Sequence, residues 1–289
     1  MSLIAYVNGE FVDLNKARVS VLDRGFMYGD GLFETMRARR NRMFRLQAHM
    51  KRLVASAAEL DIPLPCPIDK IEKLIYQTLE KNNLEESVVR LQLTRGESEP
   101  GLLYASSEKP TLVIVVRPFS SPPKAFYSDG VSICTAPDSA TTSNFGRHRI
   151  KTTNYLPNIL LKKKAREMNC FEAVALDSAG LLTEGTVSNI FLVKNKEILT
   201  PALGPYILDG ITRSIVRDLC NLAGIPLKEM DLSKDFALEA DEIFLTNTGI
   251  SILPVSTIDG QQISKGEVGP VTRQISQAYL EIFDTEMGS

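Results

Sequence analysis

A segment rich in proline and serine divides the sequence into two parts. Residues 117–123 read Arg-Pro-Phe-Ser-Ser-Pro-Pro and lie between two runs typical of β-strands, which is the composition of a linker. We therefore predict a domain over 1–117, an interdomain linker over 118–123 and a second domain over 124–289. A chain of 289 residues with 44% hydrophobic content can bury two modest cores, whereas one core would be large for this length.

The charge balance excludes several classes of partner. With 35 acidic and 33 basic residues and an isoelectric point near 5.9, the chain has no overall attraction for nucleic acid or for an anionic membrane. No apolar run approaches the roughly 18 residues of a membrane span, and the first residues lead straight into a turn at Asn8-Gly9. We therefore expect a cytoplasmic enzyme that acts on small molecules.

The cysteine pattern indicates no metal centre. No two of the four cysteines form a CxxC pair, and they are far apart: Cys66, Cys134, Cys170 and Cys220. Such spacing indicates neither a zinc site nor a disulfide framework. We expect reduced, mostly buried thiols.

The first domain is predicted to mix strands and helices. Asn8-Gly9 is a favoured tight-turn dipeptide, so its flanks are expected to form a β-hairpin. Gly29 and Gly31 permit close approach of another stretch of backbone. Branched or apolar runs predict strands over 32–37, 87–94 and 111–116. Apolar periodicity predicts helices that begin at Leu46, with Met50, Leu53, Val54, Ala57 and Leu60 on the apolar face, and near Ile68.

The second domain is predicted to mix the same elements. Strands are expected over 131–135, 172–176, 190–193 and 242–245. A helix that begins near Tyr155 is expected to carry Ile159 and Leu160 together with a lysine-rich solvent face. Gly210 ends a loop, and a helix then opens at Ile211. The apolar positions of that helix and of the last helix are expected to be Ile215, Leu219 and Leu222, and Val271, Ile275, Tyr279 and Ile282.

A lysine and a glutamate suit an aldehyde cofactor. A lysine that forms a Schiff base needs its stem held and its amine partly desolvated, and a cofactor pyridine nitrogen needs an acid beside it to stay protonated. Lys151 lies in the segment His-Arg-Ile-Lys-Thr-Thr-Asn-Tyr over 148–155, and Glu184 in Leu-Thr-Glu-Gly-Thr-Val-Ser-Asn over 182–189. Taken alone, Lys151 could equally be a solvated surface charge. The helix start at Ile211 could bind an anion or, as most helix starts do, only water.

Together these segments resemble the class IV aminotransferase family, the fold-type IV pyridoxal-phosphate enzymes. The matching segments occur in the family's order and are residues 23–34, 148–155, 182–189 and the Gly-Ile-Thr-Arg sequence of 210–213. The family includes branched-chain aminotransferases, D-amino-acid aminotransferases and aminodeoxychorismate lyases. The resemblance implies a two-domain α+β fold like that of the D-amino-acid aminotransferases, with pyridoxal 5'-phosphate as cofactor. It also implies a homodimer with the active site near the interface.

The resemblance further implies roles for individual residues. Lys151 would be the catalytic residue, which carries the cofactor and moves the substrate α-proton. Glu184 would keep the pyridine nitrogen cationic. Arg52 would bind the cofactor phosphate, for which arginine has suitable bidentate geometry, although a helical arginine is usually a surface residue. The other cofactor residues implied are Tyr155, Ser188, Asn189, Ile211, Thr212 and Thr248.

Substrate contacts are expected from the strands and turns beside these segments. The candidates are Phe33, Thr35, Arg90, Arg95, Asn247 and Gly249. Arg90 and Arg95 are selected for a carboxylate contact from a larger set that also contains Arg37 and Arg147. The alternative for both arginines is a strand-end charge in solvent.

Three activities are compatible with these residues. D-amino-acid aminotransferases carry Arg-x-His after a Thr-Arg-Gly segment, and that pattern is missing after Gly96. Branched-chain enzymes share Phe33-Glu34 but have glycine in place of Thr35, whereas the lyases have threonine there and asparagine at the position of Asn247. We predict transamination between a branched-chain-like amino acid and a 2-oxo acid. The alternatives are an aminodeoxychorismate lyase that releases pyruvate and 4-aminobenzoate, and a non-catalytic cofactor-binding protein.

Overall fold

The computed structural model describes residues 2–99, 101–103, 109–137, 150–263 and 266–288. It divides the chain into two compact units. The first unit comprises Met1–Ser120, Ile150–Tyr155 and Glu286–Ser289, and the second comprises Ser121–Arg149 and Leu156–Thr285. This division places Ile150–Tyr155, here called the lysine segment, in the first unit, whereas the sequence assigned it to the second domain. Whether residues 118–123 link two separately folding domains stays a prediction.

The first unit contains a sheet of six strands among its described residues. The strands are β1 (Ile4–Val7), β2 (Glu10–Asp13), β3 (Gly31–Arg39), β4 (Arg42–Met43), β5 (Glu86–Thr94) and β6 (Thr111–Pro118). Their order is β2-β1-β6-β5-β3-β4, and all neighbours are antiparallel. The predicted hairpin is confirmed: Asn8 and Gly9 have positive φ angles of 47° and 108° between β1 and β2. The strands predicted over 32–37, 87–94 and 111–116 are also confirmed.

Two long helices cover the core of this unit. The helices of the unit are α1 (Arg24–Tyr28), α2 (Leu46–Glu59) and α3 (Ile68–Asn82), and α2 and α3 confirm the predicted periodicity. Val54 was predicted to lie on the apolar face of α2, but it is 38% exposed. The buried side of α2 contains His49 and Ser56 instead. A buried polar contact of His49, described below, accounts for this rotation.

The second unit contains a sheet of nine strands among its described residues. The strands are β7 (Val131–Pro137), β8 (Glu172–Leu176), β9 (Leu182–Gly185), β10 (Asn189–Lys194), β11 (Glu197–Pro201), β12 (Leu227–Met230), β13 (Glu242–Asn247), β14 (Ser251–Ile258) and β15 (Gln261–Gln262). The order is β12-β11-β10-β13-β14-β7-β8-β9, and β15 pairs with β14. Antiparallel and parallel neighbours both occur, since β7 is parallel to β8 and to β14. The strands predicted in this part of the chain are confirmed.

Two of the helices of the second unit, α5 and α6, begin where the sequence predicted, but some of their buried faces differ, and α4 and α7 were not predicted. They are α4 (Lys124–Ser128), α5 (Leu156–Glu167), α6 (Ile211–Ala223), α7 (Lys234–Leu238) and α8 (Pro270–Met287). Leu222 of α6 is 81% exposed, although it was predicted to be buried. Ile159 and Leu160 of α5 are 59% and 49% exposed, and Leu161 is buried in their place. None of the described helices combines the length and apolar character needed to cross a membrane.

Candidate active site

The lysine segment lies along the free part of β3. The N–H of Phe33 donates to the carbonyl of Lys151 at 2.9 Å, and the N–H of Thr153 donates to the carbonyl of Gly31 at 2.8 Å. An antiparallel bridge lies between these two bonds. Because β4 pairs only with the opposite end of β3, the lysine segment can extend the sheet here. The backbone at and directly after the lysine is therefore held.

Gly29, just before β3, allows this approach, as the sequence predicted. Gly29 has a positive φ of 71°, and a Cβ at this position would lie 3.2 Å from the Cβ of Asn154. The carbonyl of Gly29 accepts a hydrogen bond from Thr153 Oγ1 at 2.8 Å. A side chain at position 29 would therefore be strained and would press on the lysine segment.

Three candidate functional side chains contact the ring of Phe33. Lys151 Nζ lies 4.6 Å from the ring centroid, and the guanidinium carbon of Arg90 lies 3.7 Å from it. Tyr155 meets the ring edge to face, with 5.1 Å between centroids. Burial lowers the pKa of Arg90, and Tyr155 opposes this shift. Cations over an aromatic face are attracted by the ring's quadrupole, so Phe33 helps to hold both of them.

The substrate candidates on the sheet share one face. Thr35 and Arg90 are directly opposite each other on β3 and β5, and Phe33 is two residues from Thr35. Because side chains alternate along a strand, these three project to the same side. Glu34 projects to the other side, which α2 covers.

Glu34 binds Arg52 on the side of the sheet that α2 covers. Its carboxylate accepts bonds of 2.7 Å from both Nε and Nη2 of Arg52, and its Oε2 lies 2.7 Å from Nδ1 of His49. Burial would raise the pKa of Glu34, but the charge and hydrogen bonds of Arg52, with His49, lower it to about 2. Burial lowers the pKa of His49, although Glu34 opposes this. An ionised carboxylate only accepts hydrogen bonds, so Nδ1 of a neutral His49 carries the proton.

Arg95 has a different environment from Arg90. It is 2% exposed, and its Nε donates to Asp30 Oδ2 at 2.8 Å. Its Nη1 and Nη2 donate to the carbonyls of Asp61 and Leu60 at 2.8 and 2.7 Å. These contacts tie the end of β5 to the end of α2 and use all three guanidinium nitrogens.

In the second unit, Glu184 and Asn189 form one hydrogen-bonded group with the loop before α6. Glu184 Oε2 accepts from the N–H of Leu208 at 2.9 Å and from Asn189 Nδ2 at 3.2 Å. Asn189 Nδ2 also donates to the carbonyl of Leu208 at 2.9 Å. A Cβ on Gly210 would lie 2.1 Å from Asn189 Oδ1, so only glycine permits this packing. The carboxylate and the start of α6 are thus linked.

Other predicted residues of this unit surround the same group. Ser188 is buried and its hydroxyl donates to Glu172 Oε2 at 3.2 Å. Asn247 Oδ1 accepts from the N–H of Gly249 at 2.7 Å, and its Nδ2 donates to the carbonyl of Val187 at 3.0 Å. Thr248 lies half-buried in the turn between them. The side chain of Asn247 therefore organises two turns.

The start of α6 has anion-binding character. Gly210 caps the helix without a side chain, and Ile211 and Thr212 are its first residues. The first amides of a helix have no partner within the helix and face outward with the positive end of its dipole. Across β10 and β13, Thr246 is paired with Asn189, and its buried Oγ1 has no hydrogen-bond partner among the described residues. These are donors suited to a phosphate-bearing ligand.

Some residues were missed by the sequence reasoning or lie outside the described part. Glu172 and His49 were given no role, yet Glu172 accepts a hydrogen bond from Ser188, and His49 contacts Glu34, which also binds Arg52. A glutamate inside an otherwise apolar strand was the available signal for Glu172. Arg147 and the first two residues of the 148–155 segment lie outside the described residues.

Comparisons with known proteins agree with this architecture. Residues 31–258 match the family model of amino-transferase class IV. The chain is 37% identical to a putative branched-chain-amino-acid aminotransferase of Methanocaldococcus jannaschii, over 96% of this chain and 95% of that protein. It is 33% identical to a D-alanine aminotransferase of Staphylococcus haemolyticus, over 97% and 98% of the two chains.

A solved structure gives the same result. The branched-chain amino acid aminotransferase of Escherichia coli superposes with a TM-score of 0.93 at 29% identity, over 100% of this chain and 97% of that chain. The predicted fold class, a mixed helix and sheet fold of fold type IV, is confirmed by this likeness. Relatives of both names are aminotransferases, which favours that activity over the lyase alternative. The chain therefore belongs to the class IV aminotransferase family and is an enzyme of that family.

Proposed function

We propose that the enzyme uses pyridoxal 5'-phosphate to transfer an amino group between a branched-chain-like amino acid and a 2-oxo acid. The substrate proposal is supported by the groups that surround the ring of Phe33. Its buried ring is apolar, and Lys151 supplies an amine and Arg90 a cation at 4.6 Å and 3.7 Å from the ring centroid. An amino acid with an apolar side chain needs such a combination of surface, base and carboxylate partner.

The donor set fits the cofactor. Class IV aminotransferases are pyridoxal-phosphate enzymes, and the cofactor supplies an electron sink for the carbanion formed at the substrate. Glu184 is proposed to hold the pyridine nitrogen in its protonated form. Arg52 together with Ile211, Thr212 and Thr248 is proposed to bind the phosphate. Tyr155, Ser188 and Asn189 are proposed to support the ring, with Asn189 acting on Glu184 through their 3.2 Å bond.

Lys151 is proposed to have two tasks. Its Nζ would hold the cofactor and would also take the proton from the substrate Cα. The amine can move between these tasks while its backbone remains hydrogen-bonded to β3.

Arg90 is the better candidate of the two selected arginines for a substrate carboxylate. No carboxylate in the described part of the chain pairs with it, and it stands on the same face as Phe33 and Thr35. Arg95 is already bonded to Asp30 and to two carbonyls, so we assign it a structural role. For Asn247 and Gly249, a substrate contact through the turn that they form remains part of the proposal.

A second candidate substrate class is D-alanine, because a relative at 33% identity carries that name. The missing Arg-x-His pattern after Gly96 argues against it. The lyase alternative depended on Thr35 and Asn247, and the described contacts of Asn247 serve the turns around it. We further propose a homodimer, as the family resemblance implies, and a cytoplasmic location, as the sequence predicts.

The attachment site can be tested by chemical trapping. Borohydride reduction of the cofactor-loaded enzyme, followed by peptide mapping, should place the pyridoxyl group on Lys151. Recovery of the group on Lys162, Lys163 or Lys164 of α5 would refute the assignment. Lys151→Ala is the matching variant and should yield no reduced adduct.

The substrate proposal can be tested with a panel of donors. The purified enzyme is incubated with individual L- and D-amino acids plus 2-oxoglutarate, and separately with aminodeoxychorismate. Glutamate formed from leucine or valine supports the proposal. Glutamate formed only from D-alanine would establish the second candidate, and release of pyruvate and 4-aminobenzoate without amino transfer would establish the lyase.

A further inference from the structure

The buried carboxylate of Glu172 binds the turn that lies between Glu184 and Asn189. Glu172, on β8, is 0% exposed. Its Oε1 accepts a hydrogen bond from Thr186 Oγ1 at 2.6 Å, and its Oε2 accepts one from Ser188 Oγ at 3.2 Å. A buried charge is unfavourable unless donors satisfy it. Both hydroxyls of the turn are therefore directed inward, toward Glu172.

The backbone of the same turn is also held. The N–H of Gly185 donates to the carbonyl of Ser188 at 2.7 Å, which closes the turn. Asn158 and Asn247 donate to the two carbonyls between these residues at 2.7 and 3.0 Å. A Cβ on Gly185 would lie 2.2 Å from Ser188 Oγ, so the turn has no room for a larger residue. Its geometry is set by these contacts together with Glu172.

The geometry of this turn sets the relative positions of Glu184 and Asn189, the residues on either side of it. Glu184 precedes the turn, Asn189 follows it, and their side chains bond to each other and to Leu208. A change in the path of the turn would move one of these side chains relative to the other. Site residues work only when their supporting contacts hold them in place.

We propose that Glu172 is a positioning residue that keeps Glu184 and Asn189 in the arrangement that binds the cofactor. The inference rests on the proposed function, because that function assigns Glu184 to the pyridine nitrogen. Lys162 has a lesser part: its Nζ lies 3.4 Å from Glu172 Oε1 on a side chain that is 45% exposed. It balances charge without bonding to the turn.

The first arm of the test uses the cofactor-free protein. Glu172→Gln keeps the shape of the side chain but leaves one acceptor oxygen for two hydroxyls. Hydrogen exchange followed by mass spectrometry should be about tenfold faster at residues 185–189 and unchanged in the first unit. Thr186→Val removes one hydroxyl at constant shape and should act in the same direction. Thr186→Ser retains the hydroxyl and should behave like the wild type.

The second arm measures the cofactor itself. Titration of each cofactor-free variant with pyridoxal 5'-phosphate should give a Kd about tenfold higher for Glu172→Gln and Thr186→Val, and near wild type for Thr186→Ser. The pKa of the lysine-linked chromophore should rise in the first two variants, because a poorly placed Glu184 protonates the pyridine ring less. Lys163→Met, on the exposed face of α5, is the matched control and should change neither quantity.

The outcomes separate the inference from the proposed function. Unchanged exchange in Glu172→Gln and Thr186→Val overturns the inference, and so does faster exchange with an unchanged Kd and chromophore pKa. Absence of cofactor binding by the wild-type chain overturns the proposed function, and the inference with it. If Glu172→Gln does not fold, the Thr186 pair decides.

Discussion

Glu34 carries its charge in the interior of the first unit, where its side chain is 1% exposed. Arg52 and His49 supply three hydrogen bonds to it, so protein donors take the place of water. The two bonds from Arg52 form a planar bidentate pair, which fixes the orientation of the guanidinium. Because Arg52 is also proposed to bind the phosphate, Glu34 would orient a cofactor residue from the core side.

Glu34→Gln should lower the free energy of unfolding by roughly 3 kcal/mol at neutral pH, since it removes one partner of a buried ion pair. Chemical denaturation measures the change. Glu85→Gln is the control, because Glu85 and its partner Arg40 are 69% and 71% exposed and such pairs contribute at most about 1 kcal/mol. Equal losses in the two variants would contradict a special role of the buried pair.

The effect of Glu34→Gln on the free energy of unfolding should depend on pH. The pKa of Glu34 is about 2 in the folded protein against an ordinary value of 4.5, so its contribution is complete above pH 4.5 and is lost as the pH falls toward 2. The stability difference between wild type and Glu34→Gln should therefore shrink below pH 4.5. The lowered pKa of His49 destabilises both proteins as the pH falls below 6.5, because the unfolded chain takes up that proton first. A difference that stays constant would contradict the linkage.

Substitutions of Arg90, in β5, and of Arg95, directly after it, should have different effects on kinetics and stability. Arg90→Met retains an apolar stem over Phe33 but removes the cation, so kcat/KM for the amino acid should fall about 10- to 100-fold if the arginine binds a carboxylate. Arg95→Met should instead lower the thermal midpoint, because its three backbone and carboxylate contacts are lost. Steady-state kinetics and thermal unfolding of both variants test this. The reverse pattern would exchange the assignments.

At the scale of elements, the stretch of residues 151–153, which is joined to β3 by an isolated bridge, is the unit that places the lysine. It pairs with β3 from more than a hundred residues away in the sequence. Its attachment depends on backbone bonds to Gly29, Gly31 and Phe33 and on the absence of a side chain at position 29.

Gly29→Ala should therefore loosen the lysine segment. The positive φ of 71° strains any side chain, and the new Cβ would also press on Asn154 at 3.2 Å. Gly180→Ala is a matched control, since Gly180 has a φ of 78° and nothing within 4 Å of the added Cβ. Both variants should lose about 1 kcal/mol of stability from the backbone conformation. Only Gly29→Ala should also lower the fraction of pyridoxyl-lysine after borohydride reduction, and equal fractions would contradict the proposal.

Local patterns predicted most of these elements, because turn dipeptides and apolar periodicity act over a few residues. They failed where a distant contact decides which side is buried. Val54 is exposed because α2 turns His49 toward Glu34, and Leu222 is exposed although it continues the apolar spacing of α6. Likewise, the sequence places Ser188 beside Glu184 but cannot tell that its hydroxyl points to Glu172, thirteen positions before the turn begins. Long-range pairing of polar groups leaves no periodic signal.

At the scale of the whole molecule, three strongly exposed apolar side chains in two segments of the first unit stand out. Val21, Phe26 and Leu103 are 72%, 70% and 96% exposed. Arg24 ties these segments together, because its Nη1 donates to the carbonyl of Gly101 at 2.8 Å. Apolar surface of this kind marks interaction sites more often than free surface. It is therefore the part of this unit best suited to contact a second copy of the chain.

The proposed homodimer leads to the last prediction. Sedimentation of the holoenzyme should give a species of twice the 32.0 kDa chain mass. Leu103→Asp places a charge in the apolar surface and should shift the equilibrium toward the monomer, since an unpaired charge is costly to bury at an interface. Leu222→Asp is the matched control: Leu222 is 81% exposed on α6 in the second unit, and its replacement should leave the dimer intact. If dimerisation completes the active site, Leu103→Asp should lose activity in proportion to the monomer fraction, and an active 32.0 kDa monomer would contradict both statements.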